Sequence, residues 1–326
     1  MSRTGANTAA LISAGEFKID SQQTGSVQVR PATVSLRNPN FFILGAPKCG
    51  TTSLATWLGE HPRIFMSSYK EPHFFNTDDK RVVDTIEYYQ SFFRGAGPDH
   101  LGVGEASVWY LSSARAVHGI LSYEPEARFI VMLRNPVEMA PALHAEMVFT
   151  GMEDESDFAT AWQLQGDRHA GRKIPSTCSV PRRLFYADAC SLGAQLDRLL
   201  AMVPAERVLT ILLDDLRRDA RREYLRTLEF INVPDDGRSD FTAENPSKVR
   251  RWPRLVELSH AITAARGRLG IKRGLDLWRR VDAMNRSEQR RQPLPSKLEA
   301  TLKQFFAADI ARLGRLINRN MEEWVA

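Results

Sequence analysis

The chain has 326 residues, 43% hydrophobic and 25% charged, with a net charge of +5. This composition excludes a wholly disordered or collagen-like chain, and the length can bury a core without disulfide staples. Three widely spaced cysteines, Cys49, Cys178 and Cys190, form no C-x-x-C pair, so they support neither a disulfide framework nor a zinc knuckle and fit a reducing compartment.

Residues 1–39 are rich in Ser, Thr, Gly, Ala and Gln. Their longest apolar stretch is too short for a signal-peptide core, so they read as a flexible tail. A single domain is expected over 40–326. It opens on the apolar run Phe41-Phe42-Ile43-Leu44, bounded by Gly45, which predicts a buried strand. A helix is predicted over 53–60, where Leu54, Trp57 and Leu58 share a face. Further buried strands are predicted at 101–104, 129–133 and 208–213. Helices follow them at 112–122, 137–149 and 216–230. One long amphipathic helix is expected over 183–202 and another over 296–318, while 166–181 reads as a long loop or flap. Strands alternating with helices define an α/β fold, a parallel sheet flanked by helices. The charge is uneven. Between positions 251 and 291, eleven Lys/Arg stand against four Asp/Glu, which points to an anionic partner or to a solvated basic helix face. No apolar run is long enough to predict a membrane span.

The segment Gly45-Ala46-Pro47-Lys48-Cys49-Gly50-Thr51-Thr52 joins the first strand to the first helix with the spacing of a phosphate-binding loop. Backbone N–H groups there, together with the helix N-terminus, form an anion cradle. The Walker pattern requires Lys directly after the second glycine, and here that residue is Thr51. The lysine lies inside the loop, at Lys48. The strand ending at Leu133 is followed by Arg134 rather than by a magnesium-holding aspartate. The loop suits a phosphate group and fits Mg-ATP poorly.

Pro-Lys-x-Gly-Thr-Thr after an apolar strand resembles the 5′-phosphosulfate loop of the sulfotransferases that use 3′-phosphoadenosine 5′-phosphosulfate (PAPS). Arg134-Asn135-Pro136-Val137-Glu138 resembles their 3′-phosphate motif. Lys70-Glu71-Pro72-His73-Phe74-Phe75 is similar to the segment that carries the proposed catalytic base in the heparan-sulfate-type and bacterial branch. Asn245-Pro246-Ser247-Lys248 sits where the family closes a basic loop over the donor. The resemblance implies a P-loop NTPase-like sulfotransferase fold and the activity of a PAPS-dependent sulfotransferase. It also implies Lys48 and Glu71 as catalytic residues. Lys48, Cys49, Gly50, Thr51, Thr52, Ser53, Arg134 and Lys248 would bind the donor, with Cys49 acting through its backbone N–H and no metal required. Two departures stand out. Ala142 occupies the place of a serine that helps bind the 3′-phosphate, with His144 as a nearby substitute. Ala106 stands where the heparan enzymes carry a lysine.

Sulfuryl transfer depends on positioning and on charge stabilisation. Lys48 would meet charge on the leaving phosphate, and Glu71 would take the acceptor proton. Arg134 would fork onto the 3′-phosphate. His73 reads as a structural histidine. The expected partners are a small-molecule, glycan or lipid acceptor, with no nucleic acid and no membrane span, in the cytoplasm. Oligomeric state is open. Trp109, Tyr110, Trp162 and Trp278 either wall the acceptor or belong to the core. Two other readings compete: a P-loop kinase or NTPase, and a nucleotide-binding protein with impaired turnover.

Overall fold

In the computed structural model, the described residues are 37–79, 82–242, 248–250, 286–288 and 293–326. Five strands form one parallel sheet: β1 (Phe41–Gly45), β2 (Ile64–Met66), β3 (Gly102–Ala106), β4 (Arg128–Leu133) and β5 (Val208–Leu212), in the order β2-β3-β1-β4-β5. Every residue of β1 is buried, as expected for a central parallel strand covered on both faces. Gly104 in β3 makes room for the Phe41 ring, because a Cβ there would lie 2.2 Å from Phe41 Cζ. The chain moves from β1 to one side of the sheet, through β2 and β3, and then crosses to β4 and β5. The switch point lies at β1, so the loops after β1, β2, β3 and β4 gather around one crevice.

Helices cover the sheet: α1 (Thr51–Gly59), α2 (Ile86–Ser91), α3 (Ala116–Tyr123), α4 (Pro136–Thr150), α5 (Phe158–Gln163), α6 (Gln165–His169), α7 (Tyr186–Cys190), α8 (Leu192–Leu200), α9 (Leu213–Arg218) and α10 (Ala220–Phe230). The C-terminal helix, Ser296–Leu316, buries Leu302, Phe306, Ile310 and Leu313. Phe305, from the same predicted face, remains about half exposed and meets Trp162 edge-on. Asp309 of this helix accepts the Gly193 and Ala194 N–H groups, each at 2.8 Å, at the start of α8.

Two predicted helices are broken. The 183–202 stretch becomes a 3-10 turn, Pro181–Leu184, followed by α7 and α8. Gln195 Nε2 donates to Asp188 O and Ala189 O at the break, satisfying carbonyls that a continuous helix would have used. The 216–230 stretch is interrupted at Asp219, whose carboxylate accepts from Arg222 N at 3.0 Å and caps α10. The predicted 112–122 helix begins at Ala116, because Ser113 Oγ accepts the Arg115 and Ala116 N–H groups first. The expected 166–181 loop contains α6, and its remainder is irregular. Strand β2 and helices α2 and α5 were not predicted; they have only three, six and six residues.

At the N-terminus, Arg37 already donates to Gly97 O and Asn38 accepts from Tyr123, so packing begins before position 40. The rest of the predicted tail and most of the basic 251–291 segment lie outside the described residues. Among the described residues, no helix is long and apolar enough to cross a membrane.

Candidate active site

The crevice begins with the loop between β1 and α1. Gly45 and Gly50 hold positive φ angles of 128° and 87°. A Cβ on Gly45 would lie 2.2 Å from Val108 O, and one on Gly50 would lie 2.9 Å from Leu213 Cδ1. Gly45 is therefore required by space as well as by conformation, and Gly50 by its left-handed conformation. Gly50 occupies the N-cap position of α1 and offers no side chain to it. The first-turn N–H groups thus lack a side-chain cap, and no acidic residue lies among them. This is the electrostatic signature of an anion-binding helix end. Thr51 and Ser53 are buried beside it, and Thr52 Oγ1 accepts from Lys70 Nζ at 2.9 Å.

Lys48 sits in the loop at φ 63°. Arg134 Nη1 donates to its carbonyl at 3.2 Å, while Lys48 Nζ reaches Glu146 Oε2 of α4 at 2.5 Å. Arg134 directly follows β4. The next residue, Asn135, caps α4 by accepting from Val137 N, and Pro136 opens the helix. Arg134 is 9% exposed and pairs with Glu138 at 2.9 Å, and its Nε is buried with no hydrogen-bond partner. A buried guanidinium N–H left unmatched beside an uncapped helix end fits an incoming anion. The loop between β1 and α1 thus meets the residue after β4, 86 positions further on. The Cys49 thiol is turned away from the cradle, towards Pro47 O and Met139 Sδ. Burial pushes its pKa up to about 12, against the lowering pull of Arg134 and Lys48. A reactive thiolate at the helix end is therefore not formed.

Glu71 lies after β2, on a loop that also carries Lys70. It and His73 both adopt left-handed backbone conformations, and His73 Nε2 lies 3.3 Å from Glu71 Oε2. Burial alone would raise the Glu71 pKa. The hydrogen bond and charge of His73, then the charges of Lys70 and Arg183, outweigh it and hold the carboxyl below its ordinary value. Sequence reasoning treated His73 as structural, whereas the fold makes it the direct partner of Glu71.

Beneath this loop lies a carboxylate that the motifs did not single out for chemistry. Glu105 of β3 is fully buried. It accepts from Ser107 Oγ at 2.5 Å, Tyr89 OH at 2.9 Å and Tyr110 OH at 3.2 Å. Ser107 Oγ in turn accepts from His73 N at 3.1 Å, and Tyr110 OH from Phe75 N at 3.3 Å. The network thereby supports the loop that presents Glu71. Burial pushes the Glu105 pKa up to about 7, with the three hydroxyl donors opposing and the Glu71 charge adding to the rise.

Arg183 is a second residue that sequence reasoning missed. Its guanidinium lies 5.1 Å from the Trp109 ring centroid, makes only a 3.8 Å contact with Asp79, and leaves Nε buried without a hydrogen-bond partner. Arg182 takes the closer contacts to Asp78 and Asp79.

Other expectations are corrected by the packing. His144 does not face the anion cradle, because its Nε2 contacts Glu155 O at 2.8 Å and its ring packs on Phe158 and Tyr186. Ala142 is fully buried, so that position has no polar group to offer. Trp109 and Tyr110 are core residues. Trp162 packs on Phe158, Phe305 and Phe306. The backbone of Lys248 lies in the strand Lys248–Arg250, paired antiparallel with Arg286–Glu288. Residues 245–247 and Trp278 lie outside the described residues. Among the described residues, no cluster of three His, Cys, Asp or Glu side chains is arranged to hold a metal ion.

A parallel sheet with a phosphate-type cradle at its switch point defines a P-loop-like α/β architecture, and the comparisons narrow the class. The sulfotransferase domain family matches residues 38–250, and the chain belongs to that family. Mouse carbohydrate sulfotransferase 15 is 30% identical over a match covering 31% of this chain and 26% of that protein. Membrane-associated sulfotransferase kil1 of Dictyostelium discoideum is 32% identical over 31% of this chain and 21% of that protein. Human bifunctional heparan sulfate N-deacetylase/N-sulfotransferase 3 is 27% identical over 60% of this chain and 22% of that protein. These matches thus span only a fifth to a quarter of the relatives' own lengths. A crystal structure of a sulfotransferase from Alicyclobacillus acidocaldarius has the same fold, with a TM-score of 0.67 and 24% identity over 89% of this chain and all of that one.

Proposed function

We propose that the chain transfers a sulfuryl group from PAPS to a hydroxyl or amine of an acceptor. One observation carries this reading. The uncapped N-terminus of α1, Lys48 and the under-satisfied Arg134 converge, with Arg134 bonded to the Lys48 carbonyl. Bound there, PAPS supplies an activated sulfuryl group on a phosphate leaving group. The N–H groups of Cys49, Gly50, Thr51, Thr52 and Ser53, with the nearby hydroxyls, would hold the 5′-phosphate. Arg134 would hold the 3′-phosphate without help from position 142, and Lys248, on the strand Lys248–Arg250, would be a further donor-binding residue. Lys48 would neutralise charge gathering on the phosphate oxygen as its bond to sulfur breaks. Glu71, kept ionised by His73, Lys70 and Arg183, would take the acceptor proton as the new bond to sulfur forms.

The relatives named above as carbohydrate and heparan sulfate enzymes make a glycan the first acceptor class to test. Ala106, standing where heparan enzymes place a lysine, favours glycans other than heparan sulfate.

The test is calorimetric titration with 3′,5′-adenosine bisphosphate, the desulfated donor, alongside Mg-ATP. Metal-independent binding of the bisphosphate is expected. It should weaken about ten- to a hundredfold in Arg134→Ala, as for loss of a buried charge-assisted contact. Adenosine 5′-phosphate, which lacks the 3′-phosphate, should lose far less. A preference for Mg-ATP would replace this reading with that of a kinase.

A further inference from the structure

Two of the cations assigned to the donor phosphates, Lys48 and Arg134, are already engaged by carboxylates of α4. Arg134 pairs with Glu138 four residues on, the common spacing for an ion pair on a helix. The Lys48–Glu146 pair is different. Its partners are 98 positions apart, and the ammonium meets a single carboxylate oxygen at 2.5 Å. Both side chains stay open to solvent, at 29% and 42%. The Lys48 backbone does not depend on the pair, since its carbonyl is held separately by Arg134. The Glu146 carboxylate makes no second ion pair among the described residues.

We propose that Glu146 is a positioning residue: it holds Lys48 while the donor site is empty and releases it to the donor phosphate. This rests on the donor reading above. While Lys48 stays on Glu146, part of its charge is cancelled there, so full neutralisation at the leaving oxygen requires the pair to give way. The geometry makes that exchange easy. A one-point, half-exposed pair between a flexible lysine and a carboxylate is weakly stabilised. A phosphate cradled by the α1 N–H groups offers the ammonium a stronger counter-charge. Only ion pairs are swapped, and no covalent bond changes. Glu146 therefore lowers donor affinity by competing for Lys48, and it keeps the lysine extended beside α4 until the donor arrives.

The experiment measures binding of 3′,5′-adenosine bisphosphate by calorimetry, at low and high salt. The proteins are the parent chain, Glu146→Gln, Lys48→Ala and the double variant. Glu146→Gln should bind about two- to fivefold tighter, the range expected for releasing a partly exposed ion pair. The gain should shrink at high salt. In the Lys48→Ala background the same substitution should leave affinity unchanged. Damage to the fold would weaken binding, so the expected direction is opposite to that of a structural defect. Unchanged or weaker binding by Glu146→Gln overturns the proposal. So does a gain that survives intact without Lys48, because that would reflect a general field of the carboxylate rather than a hold on the lysine. Failure of the donor reading looks different: the parent chain itself would not bind the bisphosphate.

Discussion

Two ion pairs flank helix α4, chemically alike and physically opposite. Arg168 and Glu153 are wholly buried, joined through two contacts of 2.7 Å. Tyr186 OH and Glu155 N complete the carboxylate's shell. Lys48 and Glu146 touch at one point and stay partly in water. The first pair ties the segment after α4 to α6 and α7 and has no lone pair to spare for a ligand. The second joins the loop after β1 to α4, and under the proposal above a competing anion undoes it. Burial and the number of bonds the carboxylate accepts, rather than charge type, separate the two pairs.

The largest expected effect tests the buried side of that contrast. Arg168→Met leaves Glu153 ionised in a dry interior and should lower the unfolding free energy by about 3–5 kcal/mol. Urea melts would measure it, and bisphosphate affinity of the folded variant should change by less than about twofold, the ordinary limit for sites with no shared partner. A matching loss of donor affinity would break the distinction between the two pairs.

Lys48→Ala should do the reverse. Turnover is expected to fall by about 10²–10³, as for removal of an electrostatic stabiliser. The melting midpoint should hardly move, because a half-exposed pair contributes at most about 1 kcal/mol. Near-normal turnover in an acceptor assay would remove Lys48 from the chemistry.

Glu105 offers a third contrast, since it is a buried carboxylate with no cationic partner. Its folded pKa, about 7, lies above its ordinary value of 4.5. Between those values the folded chain holds a proton that the unfolded chain has lost, so this group's contribution to stability falls as pH rises from about 4.5 to 7. Glu105→Gln keeps the hydrogen-bonding shape and cannot ionise. Its stability relative to the parent should therefore rise across that window, by up to about 3 kcal/mol. Parallel stability curves for the two proteins would show that Glu105 does not titrate there.

The smallest effect concerns Glu71. Because His73, Lys70 and Arg183 hold its carboxyl below 4.5, the acid limb of the rate profile should fall below that pH. His73→Gln should shift the limb upward, with Lys70 and Arg183 still opposing the rise. An acid limb near pH 7 would instead point to Glu105 as the group that must ionise.

The family and the sheet were legible before any coordinates. The run from Phe41 to Leu44, the glycines at 45 and 50, and the Arg134-Asn135-Pro136 turn are local signals whose meaning is carried by neighbouring residues. The apolar run reads as a buried strand, and the loop places glycine at both ends because each end holds a positive φ, with backbone only 2.2 Å from a Cβ at position 45. The breaks at Ser191 and Asp219 were not legible, because amphipathic spacing continues through them, and the side chains that satisfy the broken ends become visible only in three dimensions.

The sequence by itself determined the α/β class, the cradle and the residue types around it, since these depend on short-range spacing and backbone sterics. Only the tertiary structure decided which partner each charged group meets. It put Glu146 on Lys48, His73 on Glu71, and the Glu105 network beneath the Glu71 loop, while turning Cys49 and His144 away from the crevice. Those partners come from distant strands and helices, and electrostatic interaction depends on distance and burial in space rather than on separation along the chain.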